Sequence, residues 1–372
     1  MHVQHHPLPA SSAGQEYHLQ SLHFGHQHSG KKTYIQASLH ADEIPGMLVA
    51  QYLRQQLLDL ERTGAIQGEI VLLPVANPLG LAQFMQGQPF GRFDFATGVN
   101  FNRAYRNLVP QLKEKLAGKL SDNASYNVRK VRQACLELLA QWPAVTTTDV
   151  LKKTLQTLAI DADIVLDLHC DNEAVLHLYT GTPLAPQVQA LSGLMQAHAL
   201  LLARDSGGNP FDESCARIWW ELAEHFGQEV ALPLACTAIT VELRSQVDVN
   251  HHYAQQDASA LIQYLRHMGH INGAPVEVPH ALCEATPLAG VQPIQVPRAG
   301  ILVFHKQPGD TVLHGEPIVD VIDPVSGEQD TVCANISGKL FARTAFRYVQ
   351  RGTDVAKIAG SVAYRNGNLM AM

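Results

Sequence analysis

The chain has 372 residues, a hydrophobic fraction of 46% and a formal net charge of −7, a length that suits one large domain and a small one. It carries no basic stripe for nucleic acid, no apolar run of the ~20 residues that span a bilayer, and no signal-peptide pattern at its start. We therefore expect a cytoplasmic protein with no nucleic-acid or membrane partner, in which the six scattered cysteines are reduced.

The first candidate site is a histidine and a carboxylate three residues apart, just after an apolar run. Residues 34–39 are typical of a strand, and residues 46–58 have helical periodicity. His40 and Glu43 stand between them in the order H-x-x-E. Residues at this spacing project to one side, where zinc accepts a nitrogen and an oxygen ligand. The pair alone is weak evidence, because solvated pairs of this spacing are common.

A polar loop, GVNFNRAY, follows at residues 98–105. Asn102 and Arg103 pair an amide with a guanidinium, which suits fixing a carboxylate in one orientation. Arg92, ten residues before Asn102, is a second cation on the same loop. Either arginine is also a candidate for polarising a scissile carbonyl and stabilising the oxyanion. Residues 107–161 contain charged, helix-like segments and predict an added helical pair.

A second apolar run ends in another histidine. Residues 162–168 are typical of a strand buried on both faces, as in parallel sheets. Polar groups at the C-terminal end of such a strand lie where open α/β sheets bind ligands. We predict that His169 is the third zinc ligand; a histidine satisfied by backbone groups is the alternative. Asp167 points to the same side and is predicted to accept the other ring N–H.

A third apolar run, residues 235–244, carries a carboxylate in a β-branched stretch. Burying a carboxylate there costs free energy unless the group is ion-paired or takes part in binding or catalysis. We predict that Glu242 is the general base that takes a proton from a zinc-activated water. The alternative is a strand-end carboxylate in a salt bridge with Arg244.

The order of apolar runs and amphipathic segments predicts an α/β fold with a mixed, largely parallel sheet flanked by helices. The predicted strands cover residues 32–38, 69–75, 164–169, 175–179 and 237–243. The predicted helices cover residues 45–60, 186–198, 215–226 and 257–270. From residue 272 a Pro-rich linker leads into short strands with turn glycines. We predict a catalytic domain at residues 1–278 and a small all-β domain at residues 279–372.

The short motifs, taken in their order along the chain, resemble those of a known family. H-x-x-E after a strand, the N-P turn in LLPVANPLG, N-F-N-R, D-L-H and T-V-E together resemble the succinylglutamate desuccinylase and aspartoacylase family, a branch of the zinc carboxypeptidase superfamily. The resemblance runs from about residue 34 to the C-terminus. It implies a zinc-dependent hydrolase that cleaves the amide between an acyl group and an amino acid, with one Zn²⁺ per chain, and it makes a homo-oligomer an option.

The resemblance also implies roles for single residues. The matched positions are His40, Glu43 and His169 as zinc ligands, Glu242 as general base, Asn102 and Arg103 as the carboxylate-binding pair, and Arg92 as the loop arginine at a stretched spacing. Arg244 departs from the smaller residue expected there, and we predict that it reaches the substrate.

The C-terminal region resembles a barrel-sandwich hybrid of the biotinyl/lipoyl type, through its G-D-x-V-x-x-G and R-G-x-D-V segments. Such domains carry a cofactor on a lysine in an exposed hairpin, and the corresponding hairpin here, residues 323–330, has no lysine. We predict a structural domain that walls one side of the active site, with a carrier domain as the alternative.

Together these observations predict a zinc-dependent amidohydrolase whose partner is a small-molecule N-acyl amino acid or a relative of one. A metallocarboxypeptidase that trims a peptide or peptidoglycan stem would use the same core. A non-catalytic zinc- or ligand-binding protein is the alternative from another class, and Glu242 argues against it because a binding protein needs no base.

Overall fold

The computed structural model describes residues 1–27 and 30–369. Its helices are α1 (Pro45–Arg62), α2 (Pro78–Leu81), α3 (Val109–Leu116), α4 (Ala124–Ala140), α5 (Thr147–Ala159), α6 (Ala185–Met195), α7 (Phe211–Phe226) and α8 (His251–His267). Its strands are β1 (His2–Leu8), β2 (Tyr17–Gly25), β3 (Lys31–Ala37), β4 (Gly68–Leu73), β5 (Phe84–Met85), β6 (Gln88–Pro89), β7 (Ile164–Asp171), β8 (Glu173–Ala174), β9 (His177–Gly181), β10 (Ala199–Ala203), β11 (Thr237–Ser245), β12 (Ala285–Pro287), β13 (Val291–Gln295), β14 (Gly300–Phe304), β15 (Thr311–Val312), β16 (Pro317–Ile322), β17 (Gln329–Cys333), β18 (Gly338–Arg343), β19 (Tyr348–Val349) and β20 (Asp354–Ala359).

The large sheet has nine strands within the described residues, in the order β1-β2-β4-β3-β7-β11-β9-β10-β12. Strands β4, β3, β7 and β11 run parallel, and β9 is antiparallel to β11. Strand β7 is buried at every position but its last, as expected for a sheet covered on both faces. Helix α8 packs against α1 and α6, while α7 packs against α3 and the sheet. The predicted mixed, largely parallel sheet is confirmed.

Several parts of this domain differ from the sequence prediction, among them the start of α8, which is His251 and not residue 257. The hairpin β1–β2 extends the sheet at one edge and was not predicted, because its polar and apolar residues give no clear strand signal. The segment 107–161 forms three helices in the part of the chain described, not a pair. Helix α7 begins four residues earlier than predicted, directly after Pro210.

Helix α5 begins at a capping box of Thr146 and Asp149, the S/T-x-x-D/E pattern of helix starts.

The C-terminal region is antiparallel and all-β, as predicted. Its strands form two sheets, one ordered β13-β20-β18-β15 and the other β17-β16-β14-β19. Strand β8 of the catalytic region pairs with β18, and β12 pairs with β10 in the large sheet. The lysine-free segment 323–328 joins β16 to β17. The domain boundary at 278/279 stays a prediction.

Two further expectations concern the whole chain. All six cysteines are free thiols. Within residues 1–27 and 30–369, no helix has the length and apolarity that crossing a membrane would require.

Candidate metal centre and active site

The structure brings the three predicted zinc ligands together. His40, Glu43 and His169 each offer one ligand atom, and these atoms lie within 4.8 Å of one another. Glu43 Oε1 is 2.9 Å from His40 Nδ1, and Glu43 Oε2 is 2.7 Å from His169 Nδ1. All three side chains are buried. Two imidazole nitrogens and a carboxylate form the donor set of catalytic zinc sites, which keep a fourth position for water.

The turn between β3 and α1 places the H-x-x-E pair. Glu43 N donates to His40 O at 3.1 Å, and Pro45 then starts α1 at the first helical position, where its missing N–H costs nothing. A Cβ on Gly46 would lie 3.1 Å from Leu168 O. The glycine therefore lets the start of α1 approach β7, so that Glu43 reaches His169.

The far nitrogen of each imidazole has its own partner. His40 Nε2 lies 2.8 Å from Asn100 Oδ1. His169 Nε2 lies 3.0 Å from Asp167 Oδ2, but this oxygen makes no aligned hydrogen bond within the described residues, so acceptance of the ring N–H by Asp167 stays a prediction. These oxygens favour a proton on each Nε2 and turn each Nδ1 towards Glu43, as in metal sites with ordered outer partners. Burial, followed by the Arg92 charge, lowers the pKa of His40 to about 4. His40 is therefore neutral, the form that binds a metal, and the residues present fit a zinc ion.

Glu242 faces the same cleft, whose empty volume is about 700 Å³. In the β11–β7 register Glu242 is the direct neighbour of His169. Its Oε2 is buried and has no hydrogen-bond partner among the described residues. Burial, and then the Glu43 carboxylate, raises the pKa of Glu242 to about 8. A cation bound at the three ligands would lower this pKa again, towards the value that suits a base near neutral pH.

Arg92 reaches the cluster from the loop after α2. Its Nη1 donates to Glu43 Oε1 at 3.1 Å. The preceding Gly91 makes this approach possible: its carbonyl accepts from Ala41 N at 3.0 Å, and a Cβ there would lie 2.2 Å from Asp42 N. Only glycine lets the loop touch the H-x-x-E turn this closely.

Asn102 and Arg103 line the cleft beside the ligands. Asn102 Oδ1 accepts from Phe211 N at the start of α7, at 2.8 Å. Arg103 Nη1 donates to Asn102 O at 2.7 Å. The two side chains are 7% and 8% exposed, so the pair has a fixed place, as oriented carboxylate binding requires.

One face of α5 holds this loop, a role that the sequence prediction missed. Thr148, Lys152 and Gln156 follow one another at intervals of four residues and are buried, so they share a face. Their partners all lie within residues 94–106: Asp94 Oδ2 for Thr148 (3.0 Å), the carbonyls of Asn100 and Arg103 for Lys152 (3.2 and 2.8 Å), and the backbone N–H and C=O of Arg106 for Gln156 (3.1 and 2.9 Å). Polar residues repeating among the buried leucines of a helix were the available signal.

The C-terminal region contributes Lys357 to the cleft. Its Nζ lies 2.6 Å from Oδ2 of Asp171, two residues beyond His169 on β7. Glu173 of β8 pairs with Arg343 and Arg347 of the C-terminal region, each at 2.6 Å. These ion pairs fasten the C-terminal region along one side of the cleft. Lys357 was not predicted, because nothing local in its sequence marks it.

Arg244 is not among the residues that line the cleft. Its two terminal nitrogens each donate to a carboxylate oxygen of Asp257 on α8 at 2.8 Å, and its guanidinium lies 4.4 Å from the ring centroid of Tyr253. Such a bidentate pair fixes the guanidinium in place. The ion-pair partner of Arg244 is thus Asp257 and not Glu242, and we carry no substrate role for Arg244 into the proposal below.

Comparison with known proteins identifies the family and the fold. The family model for the succinylglutamate desuccinylase/aspartoacylase catalytic domain matches residues 29–268. The chain is similar to two solved structures assigned to that family. The protein from Shewanella amazonensis is 28% identical, with 96% of this chain and 98% of that chain covered and a TM-score of 0.84. The protein from Shewanella frigidimarina is 25% identical, with 96% of each chain covered and a TM-score of 0.83.

A third solved structure is more distant and shows the fold alone. It is a succinylglutamate desuccinylase/aspartoacylase from Rhodobacter sphaeroides, with 16% identity, 97% of this chain and 96% of that chain covered, and a TM-score of 0.66. No curated protein sequence matches the chain. The profile match over most of the chain, together with the ordered motifs, leads to one conclusion: the chain belongs to the succinylglutamate desuccinylase/aspartoacylase family.

Proposed function

We propose that this protein is a zinc-dependent amidohydrolase that removes an acyl group from an N-acyl amino acid or a related small molecule. One observation carries the proposal: a two-histidine, one-carboxylate cluster faces the buried, unpartnered Oε2 of Glu242 across one cleft. Membership of a family of deacylases supports it.

His40 and His169, through their Nδ1 atoms, and the Glu43 carboxylate would hold one zinc ion per chain. Zinc bound by such a donor set supplies Lewis acidity, which lowers the pKa of a water molecule and polarises a carbonyl.

The protein's own residues carry the proton and place the substrate. Glu242 Oε2 accepts a proton from the attacking water and passes it to the leaving nitrogen. Arg92 stabilises negative charge on the carbonyl oxygen, while Asn102 and Arg103 hold a carboxylate of the amino acid. One water is consumed per amide, giving a carboxylic acid and a free amine.

The wall that Lys357 and the C-terminal region form along the cleft favours a small substrate over a peptide or peptidoglycan stem. The metallocarboxypeptidase alternative is therefore the weaker one. Cytoplasmic location and homo-oligomer formation stay predictions.

The proposal is tested by primary-amine release from acetyl, succinyl and aspartyl forms of a panel of N-acyl amino acids, with zinc restored and with chelator. Zinc-dependent release from one member is expected, and it identifies the acyl group. Release from short peptides instead would favour the carboxypeptidase. Zinc binding without any release would favour the non-catalytic binding protein.

A further inference from the structure

An apolar surface on residues 84–99 lies exposed beside the cleft, around the loop that carries Arg92. Four of the eleven phenylalanines lie on this segment and are 40–58% exposed: Phe84, Phe90, Phe93 and Phe95. Met85 and Val99 add two more exposed apolar side chains. Of the other phenylalanines in the described part of the chain, only Phe346 is exposed. The surface is therefore a local feature of the molecule, unlike the single exposed apolar residues that most proteins carry.

The surface has a defined shape. Strands β5 and β6 pair across a turn at residues 86–87, both of which have a positive φ, as a tight hairpin needs. The Gln83 side chain joins this hairpin to the segment after it. Its Nε2 donates to the carbonyls of Phe90 and Phe93 at 2.5 and 2.6 Å, and its Oε1 accepts from Phe95 N at 2.8 Å. The rings of Phe90 and Phe95 lie 5.6 Å apart, so the hairpin and the following segment form one unit.

The charges of this segment are paired within the chain. Residues 83–99 contain two charged side chains, Arg92 and Asp94. Arg92 pairs with Glu43 in the cleft, and Asp94 accepts from the hydroxyl of Thr148 on α5. Neutral glutamines and glycines separate the apolar residues. An apolar centre with a neutral polar rim and few charges is the composition of the cores of protein interfaces.

The exposed area fits the core of an interface between two proteins. A phenylalanine side chain offers about 150–250 Å², so four rings at 40–58% exposure present roughly 400 Å². A stable interface buries about 800 Å² on each partner. The four rings would supply about half of that area, and Met85, Val99 and the glutamines around them would supply much of the rest.

We propose that the surface of residues 84–99 joins two copies of this chain in a two-fold symmetric dimer. In such a contact the same patch of each copy meets, so unpaired charges near the axis would face like charges, whereas a neutral apolar surface matches itself. A membrane is the weaker occupant, because the chain has a net charge of −7 and the surface offers no unpaired basic residue to anionic lipid. The contact holds the loop that brings Arg92 to Glu43, and the inference does not depend on the amide cleavage proposed above.

The mass in solution tests the proposal. Sedimentation velocity of the full chain at micromolar concentration should give twice the chain mass of 40.7 kDa. Combining Phe84→Gln with Phe90→Gln should raise the dissociation constant of the dimer by about a hundredfold or more, because four apolar rings leave the interface. Both rings are exposed, so the variant loses little packing within the chain. A wild type that is monomeric throughout this concentration range overturns the proposal.

Phe346→Gln is the matched control. Phe346 is 70% exposed and lies between β18 and β19 in the C-terminal region, outside the proposed surface. This variant should dissociate as the wild type does. If the double variant associates as tightly as the wild type, or if Phe346→Gln weakens the dimer equally, another surface joins the copies and the proposal is wrong.

Hydrogen exchange locates the contact without any substitution. When the wild type is diluted below the dissociation constant, the amides of residues 84–95 should exchange faster, while those of the exposed turn at residues 323–328 should not change. Exchange of residues 84–95 that is independent of dilution, in a protein that does dissociate, would overturn the proposal. Binding of a monomeric wild type to phosphatidylcholine vesicles would assign the surface to a membrane and would overturn it as well.

Discussion

Lys152 gives the sharpest test of how the inserted helices serve the active site. Its ammonium donates to the carbonyls of Asn100 and Arg103 from the buried face of α5. Lys152→Met keeps the length of the side chain and removes both donors. The loop of residues 94–106, which carries the proposed carboxylate-binding pair, then loses its central attachment.

The structure indicates a small effect on stability and a larger one on binding. Burial lowers the pKa of Lys152 from 10.5 to about 8, so the buried charge costs ~3 kcal/mol at neutral pH. The two charge-assisted hydrogen bonds contribute ~1.5–3 kcal/mol each. Methionine removes both contributions, so the free energy of unfolding should fall by no more than ~3 kcal/mol. Misplacement of Arg103 should lower kcat/KM by about 10- to 100-fold, mainly through KM.

Lys153→Met is the matched control. Lys153, the next residue of α5, also donates to two carbonyls, those of Ala140 and Trp142, at 3.0 and 2.8 Å. These acceptors lie within the insertion and not in the substrate loop, so this variant should change stability without changing KM.

Steady-state kinetics and urea unfolding of the two variants, measured side by side, test whether α5 positions the loop. If Lys152→Met keeps the wild-type KM, or if both variants lower kcat/KM equally, α5 does not position the loop and the reasoning is wrong.

Three further predictions follow from single contacts. Glu242→Gln should lower kcat by about 10²-fold or more while metal analysis still finds one zinc per chain; a wild-type rate would exclude Glu242 as the base. Gly91→Ala places a Cβ 2.2 Å from Asp42 N, so it should displace the Arg92 loop and lower kcat/KM by about tenfold or more, and an unchanged rate would contradict the role of that loop. Burial lowers the pKa of His270 to about 4, so the unfolded chain binds the extra proton between pH 6.5 and 4, and stability present above pH 6.5 is lost as the pH falls. Between pH 7 and pH 4.5 the free energy of unfolding, measured with urea, should fall by ~2 kcal/mol less in His270→Asn than in the wild type. An equal fall in the two proteins would refute the role of His270.

Local patterns were enough to predict the centre of the site. The H-x-x-E pair lies in one turn, so its geometry depends on β3 and α1 alone. His169 and Glu242 each follow from a single buried strand that carries a polar residue near its C-terminal end. Parallel neighbours meet at the same edge of a sheet, and the register of β7 and β11 sets the two residues side by side.

The surroundings of the site could not be predicted in this way. A basic residue such as Arg244 gives the same sequence signal whether it faces the substrate or Asp257. Lys357 reaches the cleft only because the C-terminal region folds back on β7 and β8. Glu213 lies in the first turn of α7, ahead of Cys215, where the helix was predicted to begin.

The sequence by itself determined the α/β alternation, the all-β C-terminal region and the candidate metal-ligand cluster of His40, Glu43 and His169. Each of these depends on periodicity or on residues close in the chain, which report burial and local direction. The tertiary structure alone decided which cations and acids share the cleft, how α5 holds the loop of residues 94–106, and which arginine forms an ion pair with Asp257. Those outcomes depend on the packing of elements distant in sequence, and hydrophobic periodicity shows which side of an element is buried but not what it is buried against.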